Sequence, residues 1–220
     1  MLSDIAPGGR RCQDGAVPRS YRGVEAGERS AQRRQRFLEA GLDLLGGPAD
    51  PDELTVRGIC AQSGLTARYF YENFTDKDAF VEAVFDWVSA QLAATTQAAV
   101  AAAPAAEQNR AGITNIVRMI ADDGRIGRLL FSAQVFNAAL LRQRAKLGGM
   151  FIALSGEHIQ AALRIGGNDR LRVTASFVVG GVGQAITAWL ADGMPLPVED
   201  FVDLLVTILD GLDDPRLFRD

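Results

Sequence analysis

From about residue 30 to the end of the chain, apolar residues recur at the three- and four-residue spacing of amphipathic helices. The first apolar stripe runs from Phe37 to Leu45, and Ser30 is suited to cap the helix that carries it. The Gly-Gly-Pro sequence at 46–48 ends this helix, because glycine accepts a left-handed stop and proline cannot continue a helix. The strict alternation of apolar and polar residues that predicts strands is absent.

Two short helices are predicted next, joined by a tight turn that contains a glycine. Thr55 is suited to cap a helix over 56–62, and Gly64 is suited to end it. Thr66 is suited to cap the second helix, over 67–73. Two helices that meet through such a turn form the helix-turn-helix pattern.

The remainder of the chain is predicted to be helical as well. A long helix begins at Thr75, with Asp78 as its capping-box partner, and runs to about Ala103, where Pro104 stops it. Further helices are predicted over 105–121, 123–132, 137–165, 169–191 and 198–212. The fold class is therefore all-α, with an N-terminal three-helix head that contains the helix-turn-helix, followed by a larger helical bundle.

Composition and charge exclude several other classes of protein. The chain has 220 residues and a net charge of −4, so it is not a wholly basic nucleic-acid binder. Its two cysteines, Cys12 and Cys60, form no C-x-x-C pair, and His158 is the single histidine; we expect no metal site, no cofactor and a reduced, cytoplasmic protein. The most apolar stretch, over 175–191, is short for a membrane span and contains Gln184, which favours a buried helix.

Residues 30–85 resemble the DNA-binding domain of the TetR (tetracycline-repressor-like) family. The resemblance lies in Thr55-Val56, in the Ser-Gly-Leu-Thr turn at 63–66, and in Tyr71, Phe74 and Lys77. It implies a transcriptional regulator: a repressor that binds a palindromic double-stranded DNA operator as a homodimer and releases it when a small molecule binds.

The predicted DNA contacts lie around the second helix of the motif, whose N-terminal residues face base edges in the major groove. Arg68 can bond a guanine through two hydrogen bonds, and Ala67 can touch a thymine methyl group. The resemblance implies that Thr55, Tyr71 and Lys77 contact phosphates; simple packing is the alternative role for both tyrosines. The full predicted set is Thr55, Thr66, Ala67, Arg68, Tyr69, Tyr71 and Lys77.

A basic segment precedes this motif. From Arg19 to Arg36 the sequence holds six arginines against Glu25 and Glu28. Such a segment can lie along phosphates or enter the minor groove, and the alternative is a solvated tail that takes no part in binding.

The C-terminal region is large enough to hold a dimer, enclose a ligand, or do both. The resemblance implies a cavity in the bundle for an apolar or aromatic effector, although aromatic residues at helical spacing are just as often ordinary core. The candidate pocket residues are Phe85, Trp87, Met119, Phe131, Phe136, Met150, Phe151, Phe177 and Gln184.

Three glycines interrupt the predicted helix over 169–191, where each is unfavourable relative to alanine. Close approach of another backbone would compensate, and the resemblance implies that the last two helices form a dimeric four-helix bundle; internal packing is the alternative. The predicted interface consists of Gly180, Gly181, Gly183, Trp189, Phe201, Leu204, Leu205 and Ile208.

The chain accordingly divides into a disordered basic arm over 1–28, a helix-turn-helix DNA-binding domain over 29–75, and a ligand-binding and dimerisation domain over 76–220. An enzyme is the first alternative, but no Gly-x-Ser-x-Gly elbow accompanies His158, and the glycines at 180–183 do not complete a dinucleotide-binding fingerprint. The second alternative is an interaction protein that has kept the fold and lost DNA binding. We expect no enzymatic activity and no membrane span.

Overall fold

A computed structural model describes residues 20–47, 54–132, 138–212 and 214–218. The described residues are helical with no strand among them, which confirms the all-α prediction. The helices are α1 (Ser20–Leu45), α2 (Val56–Ser63), α3 (Ala67–Asn73), α4 (Lys77–Ala102), α5 (Gln108–Asp122), α6 (Gly124–Phe131), α7 (Ala138–Leu163), α8 (Asp169–Ala191) and α9 (Val198–Asp210), with short 3₁₀ turns at Ala105–Glu107 and Pro215–Leu217.

The first helix is longer than predicted. It begins at Ser20 rather than at Ser30, so residues 20–28 are helical and not part of a disordered arm. No proline lies between Ser20 and Ser30, and the favourable helix propensity of Glu25, Ala26 and Glu28 acts against the cost of the two glycines in this stretch. Residues 1–19 of the predicted arm lie outside the described residues.

The predicted cap and stop of α2 are confirmed. Thr66 stands at the N-cap position of α3 but its side chain makes no capping hydrogen bond, and the cap of α4 differs from the prediction. The hydroxyl of Thr55 accepts a hydrogen bond from the Gly58 backbone N–H at 3.0 Å, and Gly64 adopts the left-handed conformation with φ 65°. The cap of α4 is Asp76 instead of Thr75. Its carboxylate accepts a hydrogen bond from the Ala79 N–H at 2.8 Å, and a charged oxygen at this position also suits the helix dipole.

The head is built around a cluster of aromatic rings. Phe37 of α1 meets Phe70 and Phe74 edge to face, with ring centroids 5.9 and 5.8 Å apart, and Phe80 of α4 lies against both of the latter. All four rings are buried. The same α4 that closes this core continues into the C-terminal bundle, so the head and the bundle share one continuous hydrophobic core.

In the bundle, α4 packs against α5 and α7, α5 packs against α9, and α7 packs against α8. The short helix α6 contacts α1, α5 and α8, and thus lies between the head and the bundle. Gly46 permits a close approach of α1 and α6 here, because a Cβ atom at that position would clash with the backbone oxygen of Arg125.

Helix α8 is not the buried helix that its composition favours. Its length and composition alone would allow it to cross a membrane. Only 17% of its most apolar 18-residue stretch is buried within the protomer. Phe177 and Val173 are 68% and 64% exposed. The prediction is wrong because α8 packs mainly on α7 and α6, and the described chain has too few helices to cover its remaining face.

Candidate functional site

The turn between α2 and α3 is fixed by backbone bonds and by one arginine of α1. The Leu65 N–H donates to the carbonyl of Cys60 at 3.1 Å, across the left-handed Gly64. The guanidinium of Arg36 donates to the carbonyl of Ser63 at 2.7 Å. These bonds hold the angle between α2 and α3.

Two further arginines of α1 hold α3 from the side. The Arg33 guanidinium lies over the Tyr69 ring at 4.6 Å, and that of Arg34 lies over the Phe74 ring at 4.9 Å. Arg34 also donates to the Asn73 carbonyl at 3.3 Å. Part of the basic segment found in the sequence thus positions α3, in addition to any contact it makes with DNA.

The N-terminal residues of α3 present an open polar surface. Thr66, Ala67 and Arg68 are exposed, and the hydroxyl of Thr66 makes no capping hydrogen bond. The Arg68 side chain is 84% exposed and pairs with Glu72 at 3.0 Å, one helical turn further on. Tyr69 is different: it is half-buried against the core and stacks under Arg33, which favours the packing role over a base contact.

The residues predicted to contact phosphates border the same surface. Tyr71 is 62% exposed, with its ring edge against Phe70. Lys77 is exposed, and its ammonium donates to the carbonyl of Leu54 at 3.1 Å, which places the start of α4 beside Thr55. An ammonium group has three donors, so Lys77 retains hydrogen bonds for a phosphate.

The predicted pocket residues do not all meet in one place. Phe85 is fully buried, and five others are half-buried against the core: Trp87, Met119, Phe131, Met150 and Phe151. Phe177 and Gln184 are exposed on α8, so the fold of one protomer does not bring them to the interior, because they lie on the uncovered face of that helix. Phe136 lies outside the described residues.

An open surface groove of about 690 Å³ runs along α4 and α5. Of the predicted pocket residues it includes only Met119. Its charged side chains are partly engaged with α9, since Arg110 pairs with Asp203 at 2.5 Å and Arg118 with Glu199 at 2.7 Å.

Two buried polar residues of the bundle escaped the sequence analysis. Gln143 of α7 is 0% exposed and Ser89 of α4 is 7% exposed. The available signal was a polar residue on an apolar stripe, since Gln143 lies between Leu140 and Leu147 at helical spacing. Among the described residues there is no cluster of three His, Cys, Asp or Glu side chains that could hold a metal ion.

Comparison with solved structures identifies the fold. A putative TetR-family regulator from Syntrophomonas wolfei superposes with a TM-score of 0.70 at 14% sequence identity, covering 83% of this chain and 95% of that chain. The fatty acid degradation regulator FadR from Bacillus halodurans gives a TM-score of 0.69 at 12% identity, with 85% and 97% coverage. The chain has the TetR-like fold. No family model matches the sequence, and no characterised protein matches it by sequence.

A third TetR-like neighbour was solved with a ligand. The regulator FadR from Bacillus subtilis, in complex with stearoyl-CoA, gives a TM-score of 0.65 at 15% identity, with 80% and 96% coverage. Because each of these matches spans nearly the whole of the other chain, the TetR-like fold includes both the head and the bundle.

The residues predicted for a TetR-like dimer interface separate into two groups. Gly180, Gly181 and Gly183 face open space, since a Cβ atom at each would have no neighbour within 4 Å, and Leu204 and Ile208 are 48% and 54% exposed. The other three are core residues of the protomer, which corrects their assignment: Trp189, Phe201 and Leu205 are each 4% exposed. The rings of Trp189 and Phe201 stack at 4.6 Å and thus join α8 to α9 internally.

Proposed function

We propose that this chain is a sequence-specific DNA-binding transcriptional regulator that acts as a homodimeric repressor. The observation that carries the proposal is the exposed N-terminal surface of α3, formed by Thr66, Ala67 and Arg68 and held in place by arginines of α1. A recognition helix must present these positions to the major groove without collapsing onto the protein, and a preorganised surface meets that requirement.

Base contacts and phosphate contacts take different residues in this proposal. Arg68 reads a guanine, and its pair with Glu72 keeps the guanidinium extended along the helix until DNA replaces the carboxylate as its partner. Thr55, Tyr71 and Lys77 hold phosphates and fix the register of the head on the duplex. Tyr69 supports α3 from beneath through its contact with Arg33.

A homodimer explains the exposed face of α8 and α9. Phe177, Leu204 and Ile208 are large apolar side chains on adjacent C-terminal helices, and the glycines of α8 allow another helix to approach closely. Two copies joined through this face place two recognition helices on one side of a duplex, as a palindromic operator requires. Pairing of two protomers would cover the apolar face of α8, the helix with the composition of a membrane span. With that face covered, α8 needs no membrane, and we place the protein in the cytoplasm.

A small-molecule effector completes the proposal. One neighbour of the same fold is described in complex with stearoyl-CoA, which supports an effector with a long apolar part. Such a molecule must have a higher affinity for the conformation that does not bind the operator than for the conformation that does. Only then does its binding release the DNA. Regulators of this fold act by binding, and the proposal therefore assigns no enzymatic activity.

The test begins with selection of bound fragments from genomic DNA, because the operator is unknown. We expect a specific duplex to be retained with two protomers per site. Arg68→Ala should weaken binding to that duplex by about tenfold or more, which is the discrimination that one bidentate base contact provides. Arg142→Ala, at an arginine of α7 that is 57% exposed, is the matched control and should bind as the wild type does. No specific fragment, or equal loss in both variants, would refute the proposal.

A further inference from the structure

Two buried polar side chains in the bundle have no partner. Neither the amide nitrogen nor the amide oxygen of Gln143 has a hydrogen-bond partner in the part of the chain that the structure describes, and the same holds for the hydroxyl of Ser89. Buried polar groups are nearly always hydrogen-bonded, because burial removes their bonds to water. The Gln143 amide has no partner for its donors or for its acceptor. This indicates that a bound molecule forms these hydrogen bonds when the protein functions.

Both residues belong to the contact between α4 and α7. Arg142, the residue before Gln143, pairs with Glu82 of α4 at 3.9 Å, which places the two helices side by side at this level. Ser89 lies two helical turns after Glu82, on the same face of α4. Ser89 therefore lies about 10 Å further along α4 than the level of Arg142 and Gln143, so the amide of Gln143 and the hydroxyl of Ser89 are separate unsatisfied groups.

The surroundings limit what can bond Gln143. The neighbouring buried residues on the two helices are apolar, among them Phe85 and Leu92 of α4 and Leu140 and Leu147 of α7. The two arginines that adjoin Gln143 in sequence are both engaged elsewhere. Arg142 is exposed and pairs with Glu82, and the Arg144 guanidinium donates to the carbonyls of Leu129 and Ser132 at the end of α6. An ionised group placed beside Gln143 would lack a counter-ion among these residues, so the group that bonds the amide is uncharged.

We propose that Gln143 is the polar contact of the effector site, and that the effector is an apolar molecule carrying an uncharged group that both donates and accepts a hydrogen bond. This inference rests on the proposed function, which supplies the need for an effector. A primary amide or an alcohol has the required chemistry, since Gln143 can accept from its donor and donate to its acceptor.

The position of Gln143 also links effector binding to the head. Because the side chain is fully buried, a molecule reaches it only if α4 and α7 move apart. Helix α4 begins in the head at Lys77, and α7 is bonded through Arg144 to the end of α6, which in turn contacts α1. Opening this contact therefore displaces elements that position the recognition helix.

The test uses four probes with apolar chains of similar length: octanamide, 1-octanol, methyl octanoate and sodium octanoate. Binding to the full-length protein is measured by isothermal titration calorimetry at pH 7. We expect octanamide and 1-octanol to bind about tenfold or more tightly than methyl octanoate, which only accepts, and than octanoate, which is charged. Equal binding of the amide and the ester, or binding of none of the four probes, would overturn the inference.

Two variants distinguish a ligand contact from a structural role. Gln143→Leu should bind octanamide about tenfold more weakly while its affinity for methyl octanoate stays within about threefold of the wild type. Its melting temperature without probe should rise, because an unsatisfied buried amide is replaced by an apolar side chain of similar size. Ser89→Ala, at the other unsatisfied group, is the control and should keep the wild-type preference for octanamide. An unchanged preference in Gln143→Leu, or a fall in its melting temperature, would contradict the assignment.

The operator gel shift of the wild-type protein without probe separates this inference from the proposed function. If the wild-type protein binds its operator but does not prefer octanamide to methyl octanoate, only the effector assignment is refuted. If the protein prefers octanamide but binds no specific DNA, only the proposed function as a regulator is refuted. Gln143 would then be the contact of a ligand site that serves another function.

Discussion

The guanidinium of Arg125 on α6 forms an ion pair with the carboxylate of Asp43 on α1, and so joins the bundle to the head. The same guanidinium also bonds Asp123 at 2.5 Å, which fixes its orientation. One turn further along α6, Arg128 donates to the backbone carbonyl of Gly46, at the end of α1. Two arginines one turn apart on α6 thus hold the C-terminal end of α1, the helix that supports α3.

We expect the Arg125–Asp43 pair to couple the two parts of the protein measurably but weakly. Its side chains are 43% and 38% exposed, so solvent screens the attraction. A double-mutant cycle with Asp43→Ala and Arg125→Ala should give a coupling free energy of about 0.5–1 kcal/mol in urea unfolding at fixed protein concentration. Additive effects of the two substitutions would show that the pair contributes nothing to the junction.

The turn glycine of the head should resist substitution. Gly64→Ala places a side chain at φ 65° and 2.9 Å from the Arg36 guanidinium, so the free energy of unfolding should fall by about 1 kcal/mol or more. Gly149→Ala is the matched control, because this glycine lies inside α7 with open space around it and the same change should stabilise by about 0.5–1 kcal/mol. Thermal unfolding of both variants checks the prediction, which fails if both shift in the same direction.

The exposed face of α8 should control the oligomeric state. Phe177→Arg puts a charge at the centre of the proposed interface, where it would be desolvated without a partner, so sedimentation should show monomers at concentrations where the wild type is dimeric. Leu141→Arg, at a leucine of α7 that is 58% exposed, is the control and should leave the dimer intact. A dimeric Phe177→Arg variant would exclude this face as the contact.

Acid should weaken the junction through Asp123. A hydrogen bond from the Arg125 guanidinium holds the pKa of Asp123 below its usual 3.8, and the Arg125 backbone N–H adds to the effect. A carboxylate whose pKa is lowered in the folded state stabilises the protein fully above its ordinary pKa, and this stabilisation is lost as the pH falls through the lower value. Asp123→Asn should therefore be less stable than the wild type at pH 6, and the difference should shrink below about pH 3.8.

The neighbouring Asp122→Asn provides the control, because it removes the same charge from an exposed carboxylate. Urea unfolding of the three proteins at pH 6, at pH 4 and at pH 3 gives the comparison. A difference between the wild type and Asp123→Asn that stays constant with pH would show that the carboxylate contributes through packing and not through its charge.

Most of the secondary structure could be predicted from the sequence, because caps and breaks are local. Thr55 bonds an N–H three residues away, and Gly64 relieves strain at its own backbone, so neither depends on the rest of the chain. The same locality explains the agreement of α5 to α9 with the predicted segments to within a few residues. Where two local signals competed, as with Thr75 and Asp76, the choice of cap was wrong by one position.

The tertiary structure decided which side chains are covered. Trp189 and Phe177 lie on the same apolar helix, yet one is buried against Phe201 and the other is exposed, because only one face of α8 meets other helices. Periodicity alone does not show which distant element arrives at a given face. Gln143 could not be ranked above other polar residues for the same reason, since its burial depends on α4, whose nearest residues lie tens of positions earlier in the chain. The sequence by itself determined where most of the helices begin and end, because caps and breaks are local, and the packing of those helices determined which residues remain free to bind DNA, a second protomer or an effector.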